Sequence, residues 1–213
     1  MKLTTGALWC ASRLNSPHNP TGHVASASEL SAIAEICVEH DLIAVADEVY
    51  EHCVFGGEGA SGGYRQLAAA EVSDCHRIFS WPSPSSLHPH LIRMTRTESS
   101  PKPHLILSQG MRERTITLGS GGKLFSLTGW RVAWAVGPAA LVGPLGAAHT
   151  HMTFSAPTPL QAGVAAALDS EDGLAEIAPL FAENFERLSA ALSAMTMKGG
   201  APGVKSICAA QGG

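Results

Sequence analysis

The chain has 213 residues, 45% apolar and 15% charged, enough to bury one substantial core but short for two full domains. A net charge of -4 with no basic run gives no electrostatic footprint for nucleic acid or an anionic membrane, so neither is expected as a partner. Five cysteines, Cys10, Cys37, Cys53, Cys75 and Cys208, are odd in number and form no CxxC pair, which argues against a disulfide framework and a structural zinc site.

Residues 1–14 carry a short apolar patch broken by Ser12 and Arg13, too brief for a signal peptide, and no run of 18 apolar residues marks a membrane span. With reduced thiols this reads as an intracellular, cytoplasmic protein, an organelle being left open. The first organised unit is "NSPHNPTG", residues 15–22, where Asn, Pro and Gly specify a turn. A helix is predicted next: Ser26 and Glu29 have capping-box spacing, and Leu30, Ile33, Ala34 and Cys37 form one apolar stripe that ends at His40 and Asp41. "LIAVAD", residues 42–47, then reads as a strand buried on both faces, as in the parallel sheet of an α/β protein. Ligands in such sheets sit at the carboxyl ends of strands, which points to Asp47, Glu48 and Tyr50.

From Val72 to Gln109 the pattern is lost. Pro82, Pro84, Pro89, Pro101 and Pro103 interrupt a serine-rich stretch with no period of 2 or 3.6, and a loop or disorder is expected. Order returns with "RTITLGS" as a strand, the glycine-rich "GSGGKLFSLTGW", and "WRVAWAVG" as a further strand. Thr158 to Leu168 reads as a helix, and Leu174, Ile177, Phe181, Phe185, Leu188 and Leu192 as a longer amphipathic one with Pro179 early, where it is best tolerated. The remaining tail breaks into turn residues.

"GSGGK" invites a phosphate-loop reading, but Leu124 stands where Ser or Thr should follow the lysine, and Thr117 where the first glycine belongs. The dinucleotide pattern fails as well. Cys75, His76, His88 and His90 lack a second matched pair, so no metal is expected. Lys123 and Arg131 are the only ionisable acids or bases between Thr115 and Pro144; either they face solvent or they meet an anion. A lysine amine can condense with an aldehyde, an aspartate can pair with a pyridinium nitrogen, and arginine with hydroxyl groups can neutralise a phosphate. Those are the requirements of pyridoxal 5'-phosphate.

"NSPHNPTGHV", "IAVADEVYEH", "RTITLGSGGKLFSLTGWRVAWAVGP" and "FSAPTPLQAGVAAAL", in that order, resemble class I/II pyridoxal-phosphate aminotransferases of fold type I, especially the kynurenine aminotransferase and cysteine-conjugate β-lyase-like group. The resemblance implies an α/β fold, part of a large domain with a mostly parallel sheet flanked by helices. It implies that Lys123 holds the cofactor as an internal aldimine and shuttles a proton, that Asp47 pairs with the ring nitrogen, and that Tyr50 and Asn19 contact its O3′. Ser120 and Arg131 match the phosphate ligands. The implied substrates are an amino acid and a 2-oxo acid, and intact relatives imply a homodimer; transamination and β-elimination from a cysteine conjugate both remain open, as does an inactive fragment.

Residues 15–71 and 110–170 are expected to form the partial cofactor-binding domain, after an atypical stretch at 1–14 and before a connecting helix and truncated tail at 171–213. Family members carry a cofactor-binding turn ahead of Asn15 and a carboxylate-clamping arginine in a small domain, and neither is recognised in this sequence. Residues 72–109 are foreign to the family. Val72-Ser73 and Ser108-Gln109 can be encoded as consensus splice ends, so this insert reads as a translated intron.

Overall fold

The computed structural model describes residues 11–54, 75–78, 105–169 and 177–195. Its centre is a five-stranded sheet in the order β1-β2-β4-β5-β3. The strands are β1 (Ala11–Asn15), β2 (Ile43–Asp47), β3 (Cys75–Ile78), β4 (Thr115–Ser120) and β5 (Ala133–Pro138). β1, β2 and β4 pair in parallel, and β5 runs antiparallel to both β4 and β3. The predicted α/β architecture with a mostly parallel sheet is therefore present.

Helix α1 (Ala27–Glu39) forms where the capping signal stands. The Ser26 hydroxyl accepts from the Glu29 amide at 3.3 Å and the Glu29 carboxylate accepts from the Ser26 amide at 2.8 Å, so two backbone donors that the first turn leaves open are satisfied. Leu30, Ala34 and Cys37 are buried, and together with Ala25, Ala44, Leu105 and Met111 they make the first core. Small residues in β2 allow the close approach: Ala44 and Ala46 are almost wholly inaccessible. At the other end of α1, Asp41 adopts a left-handed φ of 50° and the chain turns into β2. Arg114 fixes this corner by donating to Asp41 Oδ1 at 2.9 Å and to the carbonyl of Gly110 at 3.0 Å, with longer contacts to the carbonyls of Cys37 and Leu42.

A second core lies beneath β4 and β5. Leu124, Val132, Trp134 and Val136 pack against Val164 and Leu168 of helix α4 (Thr158–Asp169). Two other helices complete the described chain besides the short α2 (Gly121–Leu124): α3 (Ala139–Met152) and α5 (Ile177–Ala194), with Pro179 in the first turn of α5 as expected. Among the described residues no helix is long and apolar enough to cross a membrane.

Three differences from the sequence reading are physical. β1 begins at Ala11, inside the stretch set apart as atypical, and becomes the sheet's edge strand through pairing that its own five residues do not signal. Helix α3 forms despite Pro144, whose ring removes one backbone hydrogen bond; Val142 is buried, with its Cγ1 3.3 Å from where a Cβ on Gly137 would stand. The expectation of no regular structure across 72–109 is corrected at two places: β3 pairs with β5, and Leu105–Leu107 form a short 3-10 turn whose Leu105 enters the first core. A four-residue strand is too short to show alternation in sequence. Residues 79–104, the 55–71 part of the expected cofactor-binding domain, Leu174 of the predicted helix and the tail at 196–213 lie outside the described residues.

Candidate active site

Because β1, β2 and β4 are parallel, their carboxyl ends meet at one edge of the sheet, and the chain leaves each of them carrying polar side chains. After β1 the "SPHNPTG" turn folds back on itself: the His18 amide donates to the His23 carbonyl at 2.8 Å, and the Gly22 amide, at a left-handed φ of 69°, donates to the His18 carbonyl at 2.7 Å. Asn15 Oδ1 accepts from the Asn19 amide at 3.1 Å, while Asn15 Nδ2 donates to the Asp47 carbonyl at 3.0 Å. One side chain thus links the turn to the end of β2.

After β2, the Glu48 amide donates to the Leu118 carbonyl at 3.0 Å and the Cys53 amide to the Tyr50 carbonyl at 2.8 Å, closing a turn that presents Tyr50. Asn19 Nδ2 donates to the Tyr50 hydroxyl at 3.2 Å. Lys123 Nζ lies 5.6 Å from the centroid of the Tyr50 ring, within reach of a cation–π contact. Asn19, Tyr50 and Lys123, predicted from three separate motifs, form one connected group. Cys53, three residues after Tyr50, is buried, and burial pushes its thiol up, which leaves it a packing residue rather than a nucleophile.

The Asp47 carboxylate is divided. Its Oδ2 accepts from Arg13 Nη2 at 3.0 Å, whereas Oδ1 is buried with no hydrogen-bond partner. A buried acceptor left unmet is costly, and such groups cluster where something else supplies the donor.

Ser120 ends β4 and caps α2, its hydroxyl accepting from the Gly122 amide at 3.1 Å. Thr128 Oγ1 donates to the Gly122 carbonyl at 2.9 Å, and the Gly121 amide to the Val132 carbonyl at 3.2 Å, so the glycine segment and the approach to β5 form one bonded loop. Arg131 sits on that loop in a left-handed conformation, φ 57° and ψ 36°, and donates to the Thr128 carbonyl at 3.2 Å. Ser120 faces Ala133 in the ladder, two positions beyond Arg131. Both Lys123 and Arg131 are exposed, and among the described residues neither makes an ion pair. Of the two explanations open for these cations, the solvated face is the one the described residues show, with Lys123 over the Tyr50 ring and Arg131 on the Thr128 carbonyl.

The glycines themselves have a packing reason. A Cβ on Gly119 would stand 2.3 Å from Trp134 Nε1, and one on Gly121 3.0 Å from Val164 Cγ2. Their sequence therefore records close approach of the second core rather than a nucleotide cradle. Sequence reasoning missed Arg13, Asn15 and Trp134 as supports of the site. The first two lie on β1, unrecognised as a strand, and Trp134 could be matched to Gly119 only through the β4–β5 register.

The donor set fits pyridoxal phosphate: an orphaned buried carboxylate oxygen for a ring N–H, a hydrogen-bonded phenol and amide for a ring oxygen, an amine, and a hydroxyl and guanidinium for a phosphate.

Residues 13–206 match the family described as aminotransferase class I and II. The chain is 34% identical over 191 residues to the kynurenine–oxoglutarate transaminase of Dictyostelium discoideum, covering 87% of this chain and 34% of that protein. To kynurenine–oxoglutarate transaminase 1 of Homo sapiens it is 34% identical over 158 residues, covering 74% and 28%. The structure of N-succinyldiaminopimelate aminotransferase from Mycobacterium tuberculosis superimposes with a TM-score of 0.64 at 35% identity, covering 86% of this chain and 37% of that one. The chain thus spans about a third of the length of the relatives it matches.

Proposed function

The chain belongs to the class I and II aminotransferase family, and from that premise we propose that it carries the lysine-bearing part of a pyridoxal-phosphate site that moves an amino group from an amino acid to a 2-oxo acid. The observation that carries this reading is the convergence of Asn19, Tyr50 and Lys123, with Asp47 on the same sheet edge.

When bound, pyridoxal phosphate supplies an aldehyde that an amine can attack and a ring that accepts electron density. The chain's own groups divide the remaining work. Asp47 Oδ1, buried and without a partner, would accept the ring N–H. The Tyr50 hydroxyl, which already accepts from Asn19 Nδ2, would be left to donate to the ring oxygen. Ser120 and Arg131 would bind the phosphate, the hydroxyl by turning its proton from the Val132 carbonyl, 3.5 Å away, and the guanidinium by paired charge. Lys123 Nζ would hold the cofactor and, once the substrate amine has displaced it, would be free to serve as the base that takes and returns the α-proton. Transfer is preferred over β-elimination because two of the relatives described above are named transaminases.

The test is to add pyridoxal phosphate, reduce with borohydride and map the labelled peptide. A single adduct on Lys123, absent in Lys123→Ala, is expected; label spread over all five lysines would overturn the reading. Incubation of the loaded chain with kynurenine and 2-oxoglutarate, scored for glutamate against ammonia release, then separates transfer from elimination.

A further inference from the structure

Asp47 is gripped from one side only. Its carbonyl receives Asn15 Nδ2 at 3.0 Å and the Ser16 amide at 3.2 Å, which fixes the backbone, and its carboxylate receives Arg13 on Oδ2 alone. The two strands explain why. Asn15 is the register partner of Asp47, so Arg13, two residues earlier on β1, stands on the same face and reaches across diagonally. The Asp47 side chain is 16% exposed and that of Arg13 74%, so the guanidinium sits in water at the sheet edge while Oδ1 points into the protein.

A carboxylate has two equivalent oxygens, and rotation about its last bond exchanges them. A guanidinium on Oδ2 removes that equivalence. Oδ1 becomes the acceptor held toward the buried side, and the carboxylate no longer has to stop rotating when a donor arrives. Resting on the cofactor reading above, we propose that Arg13 is a positioning residue for the ring nitrogen: it acts through Asp47, holding Oδ1 toward the buried side to receive the ring N–H. The bridge is largely solvated, so its contribution is that of a surface ion pair.

The experiment compares equilibrium binding of pyridoxal phosphate with that of its 1-deaza analogue, in which the ring nitrogen is replaced by C–H. The parent chain binds pyridoxal phosphate more tightly than the analogue. Arg13→Gln weakens pyridoxal phosphate by roughly two- to fivefold at low salt and leaves the analogue unchanged, the range expected for an exposed ion pair. Arg13→Lys restores part of the difference, and the Arg13→Gln effect shrinks in molar salt. In an Asp47→Ala background the Arg13→Gln change has no further effect. Equal weakening of both compounds, or of neither, overturns the role of Arg13 while leaving the cofactor reading intact. A parent chain that binds the two compounds equally removes Asp47 as the ring-nitrogen partner, and one that binds neither removes the cofactor reading; either result also ends this inference.

Discussion

Two neighbouring parts of the molecule, the start of α1 and the strand ends beside it, are built to different standards. Where α1 begins, donors and acceptors pair: Ser26 and Glu29 exchange hydrogen bonds, His23 adds a contact to Glu29 at 3.1 Å, and the apolar stripe lies on the core. Where β2 and β4 end, the chain leaves Asp47 Oδ1 without a partner, keeps Lys123 and Arg131 exposed, and holds Ser126 and Arg131 at left-handed φ values of 57°. Local preference and packing agree in the first part and conflict in the second, the pattern that the proposed cofactor site would produce. If this contrast is sound, substitutions at the sheet edge change chemistry without changing stability, and those in the packing and capping do the reverse.

The largest effect is expected at Lys123. Lys123→Ala removes an exposed amine with no ion pair among the described residues, so thermal melting should stay within about 0.5 kcal/mol of the parent, as for surface substitutions generally. Single-turnover amino transfer should fall by on the order of 10²–10⁴, the range for loss of a positioned acid–base group. A large drop in melting temperature would mean that Lys123 belongs to the packed part of the molecule. Next comes Gly119→Ala, where the added methyl would meet Trp134 Nε1 at 2.3 Å and the ring would have to move. Overpacking of this kind costs about 1–3 kcal/mol, measurable by denaturant unfolding. Gly143→Ala in α3 is the matching control: nothing lies within 4 Å of its Cβ position, and a stabilisation of about 0.4–1 kcal/mol is expected.

The α1–β2 corner should respond less. Arg114→Ala removes the donor shared by Asp41 and the Gly110, Cys37 and Leu42 carbonyls. Asp41 is 95% exposed, so its ion pair adds little, and the expected loss of about 1–2 kcal/mol comes from the hydrogen bonds of a charged donor to main-chain oxygens. Urea unfolding with unchanged m-value would locate the effect in native-state stability.

The sequence made α1, β2, β4 and α4 readable because each combines a periodic or continuous apolar pattern with a clear boundary residue. β1 and β3 were not readable, since neither ASRLN nor CHRI carries a continuous apolar run and each gains its identity from the neighbour it pairs with. At the candidate site, the residue types were legible one motif at a time: Asn19, Asp47, Tyr50, Ser120, Lys123 and Arg131. Their grouping was not, because the Asn19–Tyr50 bond spans 31 positions and the Arg13–Asp47 bond 34. Long-range pairing of this kind is decided by sheet register, and register here depends on β1, the strand the pattern did not announce.

The smallest effect gives the most selective probe of the α1 cap. The Glu29 carboxyl is held below its ordinary value of 4.5, first by the Ser26 amide, then by the Ser26 hydroxyl, with His23 contributing. A carboxyl whose folded value is depressed stabilises the fold above the unfolded value and loses that stabilisation as pH falls through the lower, folded one. Melting temperature should therefore decline between about pH 5 and pH 2 by slightly more in the parent than in Glu29→Gln, whose amide keeps an acceptor but does not titrate. Glu29 is 49% exposed, so solvent screening keeps the difference small. Ser26→Ala, by contrast, should cost about 1 kcal/mol at neutral pH, as for loss of a helix cap. Lys123→Ala should leave the acid slope unchanged, since Lys123 has no part in the α1 cap. Equal slopes in the parent and Glu29→Gln would show that the capping box does not feel the proton; a flattened slope in Lys123→Ala would show that the α1 cap and the strand ends are coupled and that the contrast between them fails.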